Sequence, residues 1–388
     1  MSVTAPLGFT ANGVPCGIKP SGDPDLSLVA TTTRQAVSAA AVFTQNKMTA
    51  APVVTTNAHL ALTGGRATAV VLNSGCANAA TGQQGMADAE ATCLLVAEAL
   101  GCPAEEVLVC STGLIGYLLP MDAIAKGVGD LVSGLDSAGG SRAAEAIRTT
   151  DTHRKETIVS GEGFTVGGMA KGAAMLAPNM ATMLAVLTTD AEVTPATLAE
   201  VLRAGVADSF NSMSSDGCTS TNDTVILLAS GAAGPPVDPA AFASSVAAAC
   251  LDLARQMVGD AEGHTKVVEV RVTGALSDDD ARAGARKVAE SQLVKCSWYG
   301  KDPYWGRVAS ELGSAGIAFE ADKVSIRYGD LLVAEHGVTV EPDPAALAAY
   351  MAREHLEVTA NLGLGDGNAR ILTNDLTHAY VDENMGTS

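Results

Sequence analysis

The chain has 388 residues, of which 47% are hydrophobic and 17% are charged, and its formal net charge is −19. This length exceeds what one hydrophobic core usually serves, so we expect two domains or two closely packed halves, and the hydrophobic content excludes an intrinsically disordered chain. The negative charge argues against nucleic acid and anionic membrane surfaces as partners. Because no apolar run is long enough to span a membrane and no secretory signal is recognisable, we expect a soluble cytoplasmic protein.

The first part of the chain alternates short apolar runs with helical patterns. We expect a strand at 67–75, a helix at 86–101 in which Gly101 suits a C-cap, and a strand followed by a turn at 105–116. The small and polar stretch 133–146 predicts an exposed loop that leads into a helix.

The following segments continue this mixture of strands and helices. A hairpin is expected around Gly161 and Gly163, a strand directly after Thr182, a helix at 194–210 and a further core strand at 225–230. The strands do not alternate with helices at regular spacing, and several are joined as hairpins. The pattern therefore favours a mixed, layered α/β fold over a doubly wound Rossmann sheet.

Cysteine and histidine spacing gives no metal site. The eight cysteines form no CxxC pair and are expected to be free thiols, and the six histidines show neither HxxxH nor HExxH spacing. The glycine-rich run VGGMAKG matches neither the P-loop nor GxGxxG, and no GxSxG elbow is present. The sequence thus predicts no metal and no cofactor.

The stretch KGAAMLAPNMATMLAVLTTD, from Lys171 to Asp190, contains the candidate nucleophile. In the simpler interpretation, Thr182 is a β-branched residue at the start of a buried strand. In the alternative, cleavage of the Ala181–Thr182 bond makes Thr182 a chain N-terminus, and its α-amino group then acts as the base for its hydroxyl. An unperturbed α-amino group has a pKa of about 7.7–8.0, which suits that task near neutral pH. The residues alone leave both interpretations open.

The same stretch resembles the autocleavage signature of the ornithine acetyltransferase family, which runs from KG through a proline to ATML or ATLL. Further segments resemble signatures of this family in the same order along the chain: NSGCANAATG, CSTGLIG, MDAIAKG, RTTDT, STNDT, DAEGHTK, DPYWGR and DLTHAYVDEN. The resemblance covers essentially the whole chain. It implies a glutamate N-acetyltransferase of arginine biosynthesis with an αββα-type layered sandwich, a fold of the ornithine acetyltransferase and aminopeptidase kind.

The resemblance also implies that a precursor cuts itself before Thr182. The products would be an α chain, 1–181, and a β chain, 182–388, which are intertwined and associate as an α2β2 heterotetramer. Thr182 would take the acetyl group from N2-acetylornithine in a ping-pong reaction, and glutamate would accept it as N-acetylglutamate. Some family members also accept acetyl-CoA, and no feature of this sequence separates the two kinds.

The family motifs assign the remaining roles by position. Thr112 and Gly113 match the oxyanion segment, where a hydroxyl and a backbone N–H are suitable donors, although an ordinary strand-to-turn transition has the same pattern. The substrate-binding positions match six residues: Thr149, Lys171, Thr182, Glu262, Asn384 and Ser388.

Both substrates are amino acids, so the charges of two of these residues suggest which substrate group each of them binds. Lys171 suits an α-carboxylate, and Glu262 suits the side-chain ammonium of ornithine.

Two segments depart from the family pattern. The tail NMGTS is one residue shorter than expected and lacks an aromatic residue, so Thr387 competes with Ser388 for the last substrate contact. In DPYWGR, Tyr304 stands where the family has an asparagine, and a phenol replaces a smaller amide. If this loop lines the site, the substrate preference differs from that of the commonest members.

Three other functions stay open at the level of the sequence. One is a paralogue that serves a secondary-metabolite pathway. A second is an N-terminal-nucleophile amidase or aminopeptidase, in which water replaces glutamate as the acceptor. The third is an uncleaved, non-enzymatic relative, against which the intact NMATML motif argues.

Overall fold

The computed structural model describes residues 2–176, 183–236 and 238–386. The chain divides into two compact units. The first contains the described residues up to Asn211 together with Cys218–Met257, and the second contains Ser212–Gly217 and the described residues from Val258 onward. The described residues on both sides of the proposed cleavage site belong to the first unit. The proposed cut therefore does not coincide with the boundary between the units.

Two sheets form the centre of the first unit. Its strands are β1 (Phe9–Val14), β2 (Leu26–Thr31), β3 (Val37–Phe43), β4 (Arg66–Ala67), β5 (Ala69–Asn73), β6 (Val107–Ser111), β7 (Lys155–Gly161), β8 (Phe164–Lys171), β9 (Leu184–Ala191) and β10 (Thr224–Gly234). One sheet has the order β1-β2-β5-β6, and the other has the order β4-β3-β10-β9-β8-β7.

Helices pack against both sheets. They are α1 (Ala51–Leu62), α2 (Gly82–Leu100), α3 (Met121–Ser133), α4 (Gly140–Ala146), α5 (Pro195–Ala207) and α6 (Pro239–Val258). Between the sheets, one core cluster joins Val70 and Leu108 of the first sheet to Val186 and Ile226 of the second. On the other face of the first sheet, alternate strand residues pack with α2 and α3.

The second sheet is covered in the same way. Helix α5 packs on β3, and α6 lies over β8, where a Cβ at Gly168 would stand 3.2 Å from Leu253. The layers thus run helix, sheet, sheet, helix, and the predicted αββα-type sandwich is confirmed. All eight residues of β9 are buried, as expected for a strand inside such a sandwich.

The described part of the second unit contains the strands β11 (Val267–Ala275), β12 (Ser325–Tyr328), β13 (Leu331–Glu335), β14 (Val338–Thr339), β15 (His355–Asn361) and β16 (Gly367–Asn374). They form one six-stranded sheet in the order β14-β13-β12-β15-β11-β16. Its helices are α7 (Asp278–Glu290), α8 (Gln292–Tyr299), α9 (Trp305–Gly313), α10 (Pro344–Met351) and α11 (His378–Glu383).

Several predicted elements are confirmed with shifted boundaries. Helix α2 begins at Gly82 rather than at residue 86, and it ends before Gly101, whose φ of 74° gives a left-handed C-cap. Helix α5 begins at Pro195, and the Thr194 side chain accepts the N–H of Thr197 as an N-cap. The predicted hairpin is the antiparallel pair β7 and β8.

The prediction of an exposed loop at 133–146 is partly wrong. The second half of this stretch is α4, and Ala143 and Ala144 are fully buried between the sheets. Small residues there allow close backbone contact with β1, where a Cβ at Gly13 would overlap the carbonyl of Arg142. Among the described residues, no helix is long and apolar enough to cross a membrane.

Candidate active site

The proposed oxyanion segment directly follows β6. The Thr112 N–H donates to the Asn73 carbonyl at 3.0 Å, and the Leu114 N–H donates to the Gly75 carbonyl at 3.3 Å. Between them, the Gly113 N–H has no acceptor within the part of the chain that the structure describes. The segment is therefore anchored on both sides and presents one unused N–H, as an oxyanion site requires.

Gly113 is a glycine for two independent reasons. Its φ of 125° lies in the region that disfavours residues with a side chain. A Cβ at this position would also stand 2.3 Å from the carbonyl carbon of Gly75 and 2.6 Å from the backbone nitrogen of Cys76. The direction of the Gly113 N–H is thus set by the close contact between the backbone of Gly113 and the backbone of Gly75 and Cys76.

The sheets bring Lys171 to the same place. Lys171 is the last residue of β8, is only 8% exposed, and donates from Nζ to Thr112 Oγ1 at 3.3 Å. Because the Thr112 hydroxyl oxygen accepts this bond, its own hydrogen can point elsewhere. The Lys171 cation, 59 residues away in sequence, therefore lies beside the hydroxyl of Thr112, which is next to Gly113.

Thr149 is tied to this group through Asp151, which sequence reasoning missed. Asp151 Oδ2 accepts the N–H of Thr149 at 3.1 Å and its hydroxyl at 3.5 Å. Asp151 Oδ1 accepts the N–H of Gly172 at 2.7 Å and Nζ of Lys155 at 2.6 Å. Asp151 belongs to the RTTDT segment, but only the folded chain shows that it reaches the residue next to Lys171.

The Asp151 carboxyl is ionised despite its burial. Desolvation opposes its charge, but the positive charges of Lys171 and Lys155 outweigh it, together with the hydrogen bonds from Lys155 and Gly172. The pKa of Asp151 is consequently held well below its usual range. The site therefore contains a buried negative charge that interacts with two lysines.

Asp223 is a second buried carboxyl that the sequence did not single out. It is 1% exposed, and neither of its carboxyl oxygens makes a hydrogen bond of good geometry with a described residue. Burial raises its pKa well above the ordinary value, against the opposing influence of the Met183 N–H, the Ser220 and Thr44 hydroxyls and the Lys171 charge. Asp223 thus favours its neutral form next to the start of β9.

Asn222 connects the oxyanion segment to the second sheet. Its Nδ2 donates to the carbonyl of Ser111 at 2.9 Å and to the carbonyl of Ala77 at 2.6 Å. Its Oδ1 accepts the hydroxyl of Thr221 at 2.5 Å. Asn222 immediately precedes Asp223, ahead of β10, so it holds the end of β6 against the strand that pairs with β9.

Two further candidate residues meet in the second unit. Asn384 Nδ2 donates to Glu262 Oε2 at 2.9 Å, so two positions that are distant in sequence lie side by side. Tyr304 precedes α9 and is 56% exposed. Four residues named from the sequence lie outside the described part of the chain: Ala181, Thr182, Thr387 and Ser388.

Comparison with known proteins identifies the family of the chain. The ArgJ family matches residues 10–386. The chain is 47% identical over 388 residues to the arginine biosynthesis bifunctional protein ArgJ of Streptomyces coelicolor, with both sequences fully covered. It is 48% identical over 394 residues to the protein of the same name from Mycobacterium tuberculosis, covering all of this chain and 96% of the relative.

Two solved structures are also similar. The ArgJ protein of Bacillus halodurans is 34% identical, with a TM-score of 0.49, and the match covers 51% of this chain and 95% of that one. The ornithine acetyltransferase of Mycobacterium tuberculosis, complexed with ornithine, is 49% identical, with a TM-score of 0.44, over 46% of this chain and 96% of that one. From its family match and its full-length relatives, the chain belongs to the ArgJ family and is an acetyltransferase of arginine biosynthesis.

Proposed function

We propose that Thr182 is released as an N-terminus by cleavage of the Ala181–Thr182 bond and carries the acetyl group from N2-acetylornithine to glutamate. The observation that supports this most is the meeting of Lys171, Thr112 and the unused Gly113 N–H. Lys171 ends β8, and β9 begins two residues after Thr182. In the uncut chain, the segment that contains the proposed cleavage site therefore connects two strands that pair with each other.

In the first half-reaction, the neutral α-amine of Thr182 takes the proton of its own hydroxyl as Oγ attacks the acetyl carbonyl carbon. The oxygen of the tetrahedral intermediate accepts hydrogen bonds from the Gly113 N–H and the Thr112 hydroxyl. The intermediate collapses when the amide C–N bond breaks, and the α-ammonium gives its proton to the departing ornithine amine. Thr182 is left as an acetyl ester.

The second half-reaction runs through the same groups in reverse. The neutral amine of glutamate attacks the ester carbonyl, and the oxyanion is held as before. The C–O bond then breaks and Thr182 Oγ recovers a proton, while the glutamate nitrogen loses one through the α-amine. No group outside the site is needed to balance the protons.

Substrate binding divides by charge in this proposal. Lys171 pairs with the α-carboxylate that both substrates share, and Thr149 contributes polar contacts. The charge of Glu262 assigns it to the ornithine side-chain ammonium, and its Oε2 accepts a hydrogen bond from Asn384 Nδ2. Ser388, or Thr387 in its place, completes the site.

A second acetyl donor is part of the proposal. The curated relatives are named bifunctional, and acetyl-CoA is the additional donor that the family resemblance implies. The α2β2 heterotetramer and the cytoplasmic location stay predictions.

Intact mass under denaturing conditions tests the function, before and after incubation with N2-acetylornithine. We expect two fragments divided at Ala181–Thr182, of which the C-terminal one gains a single acetyl group, whereas Thr182→Ala stays whole. Acetyl-CoA offered alone should give the same acetylated fragment. Cleavage without retained acetyl, together with release of acetate, would favour the amidase. A wild-type chain that stays intact would refute the mechanism.

A further inference from the structure

We infer that Asp151 is a positioning residue of the amino-acid site, which sets Thr149 and the Lys171 end of β8 at a fixed separation. The inference rests on the proposed function, because that proposal assigns Thr149 and Lys171 to substrate binding. It adds a residue to which the resemblance assigns no role. Asp151 acts through its neighbours and has no contact with the reacting atoms in this proposal.

The geometry of the carboxylate carries the argument. Each oxygen of Asp151 serves a different segment: Oδ2 accepts the N–H of Thr149 and Oδ1 accepts the N–H of Gly172. One rigid, planar group therefore joins the loop after α4 to the residue that follows Lys171. Neither backbone N–H can move without losing a charge-assisted hydrogen bond.

Burial makes this link stiff. The Asp151 side chain is 1% exposed, and Lys155, which bonds to Oδ1, is 0% exposed. A buried carboxylate cannot exchange its donors for water, so each donor that it loses is costly. The positive charge of Lys171 also acts on Asp151, so the carboxylate contributes to the field in which a substrate carboxylate would bind.

The variant Asp151→Asn distinguishes a role in positioning the substrate-binding residues from a role in fold stability alone. An amide keeps the size of the side chain but replaces one acceptor oxygen by an NH2 donor. Because the two backbone N–H groups bond to different oxygens of Asp151, one of them then loses its acceptor. We expect the KM for glutamate and for N2-acetylornithine to rise at least about tenfold, a change the size of one lost hydrogen bond to a charged group, while kcat stays within about threefold.

Asp190→Asn is the matched control. Asp190 is a buried carboxylate of the same unit, and its two oxygens accept the N–H groups of Leu7 at 3.0 Å and Thr165 at 2.7 Å. It lies near the far end of β9, about 20 Å along the strand from Leu184. This variant should lower Tm as Asp151→Asn does and leave both KM values unchanged.

Two results would overturn the inference. One is an Asp151→Asn enzyme with unchanged KM values, and the other is an equal rise of KM in both variants, which would indicate a general loss of stability. Calorimetric titration with ornithine gives a readout that needs no turnover, with the same weakening of about tenfold expected for Asp151→Asn. If the wild type forms no acetyl-threonine, the proposed function fails, and this titration still decides the role of Asp151.

Discussion

At the scale of single residues, Gly113 has the tightest constraint in the proposed site. Both its positive φ and its contact with the Gly75 carbonyl carbon exclude a Cβ. The same constraint fixes the direction of an N–H that has no acceptor in the described parts of the chain. The strained conformation of Gly113 is therefore consistent with a functional role, because strained backbone is concentrated at sites where hydrogen-bond donors must be preorganised.

Gly113→Ala should lower both stability and turnover. We expect a loss of roughly 3 kcal/mol or more from strain and overpacking, and a fall in kcat of about 100-fold or more because the donor is displaced. Thermal unfolding and steady-state kinetics measure the two effects. Gly116→Ala is the control, because Gly116 also has a positive φ of 91°, but a Cβ added there would meet no atom within 4 Å. It should cost only about 1 kcal/mol and spare kcat; equal effects in both variants would contradict the prediction.

Asp223 gives a prediction about pH. Burial raises its pKa in the folded chain, so between its ordinary pKa and the raised value the native state holds a proton that the unfolded state has lost. Stability must then fall as pH rises through this window. Asp223→Asn removes the titration, so we expect a smaller loss of Tm between pH 5 and pH 8 than in the wild type. Parallel Tm profiles for the two proteins would show that Asp223 is ionised in the fold.

At the scale of elements, hydrogen bonds of the Asn222 side chain link the end of β6 in the first sheet to the residues just before β10 in the second. Its amide donates to the carbonyl of Ser111, directly before Thr112, and to the carbonyl of Ala77. Asn222→Ala should therefore loosen the oxyanion segment and lower kcat about tenfold, with KM nearly unchanged. Steady-state kinetics with both substrates measures this.

A second buried asparagine of the same unit supplies the control. Asn12 Nδ2 donates to the carbonyls of Leu131 at 3.0 Å and Asp130 at 3.3 Å, close to the end of α3. Asn12→Ala should lose similar stability and keep its kcat. If both variants lose turnover equally, the effect of Asn222 is one of stability alone.

At the scale of the whole molecule, the proposed cut falls between two strands that pair. Strand β8 pairs antiparallel with β9, and β10 pairs with both β9 and β3, so the two strands of the proposed β chain lie between strands of the proposed α chain in one sheet. Separation of the fragments would expose this sheet and the core on both of its faces.

We therefore expect the cleaved protein to elute as one species in native buffer and to separate only in denaturant. Size-exclusion chromatography with and without urea, followed by mass measurement of each peak, checks this. Fragments that separate in native buffer would contradict the intertwined arrangement.

Local patterns identified most of the elements but not their limits or their burial. The strand after Thr182 and the hairpin at Gly161 and Gly163 were predicted from the order of residues alone, and both predictions are confirmed. The stretch 133–146 was only partly predicted, because its serines and glycines are typical of loops, whereas its last seven residues form α4. Whether a small residue is exposed depends on what packs against it, and composition does not contain that information.

The sequence by itself determined the family, and with it the class of reaction, because the family motifs are local runs of residues. Only the tertiary structure decided that Lys171 meets Thr112, that Asp151 joins Thr149 to the end of β8, and that Asp223 is buried as a carboxyl. These contacts join segments far apart along the chain. Their existence depends on strand register and on the distance between the sheets, which no short motif records.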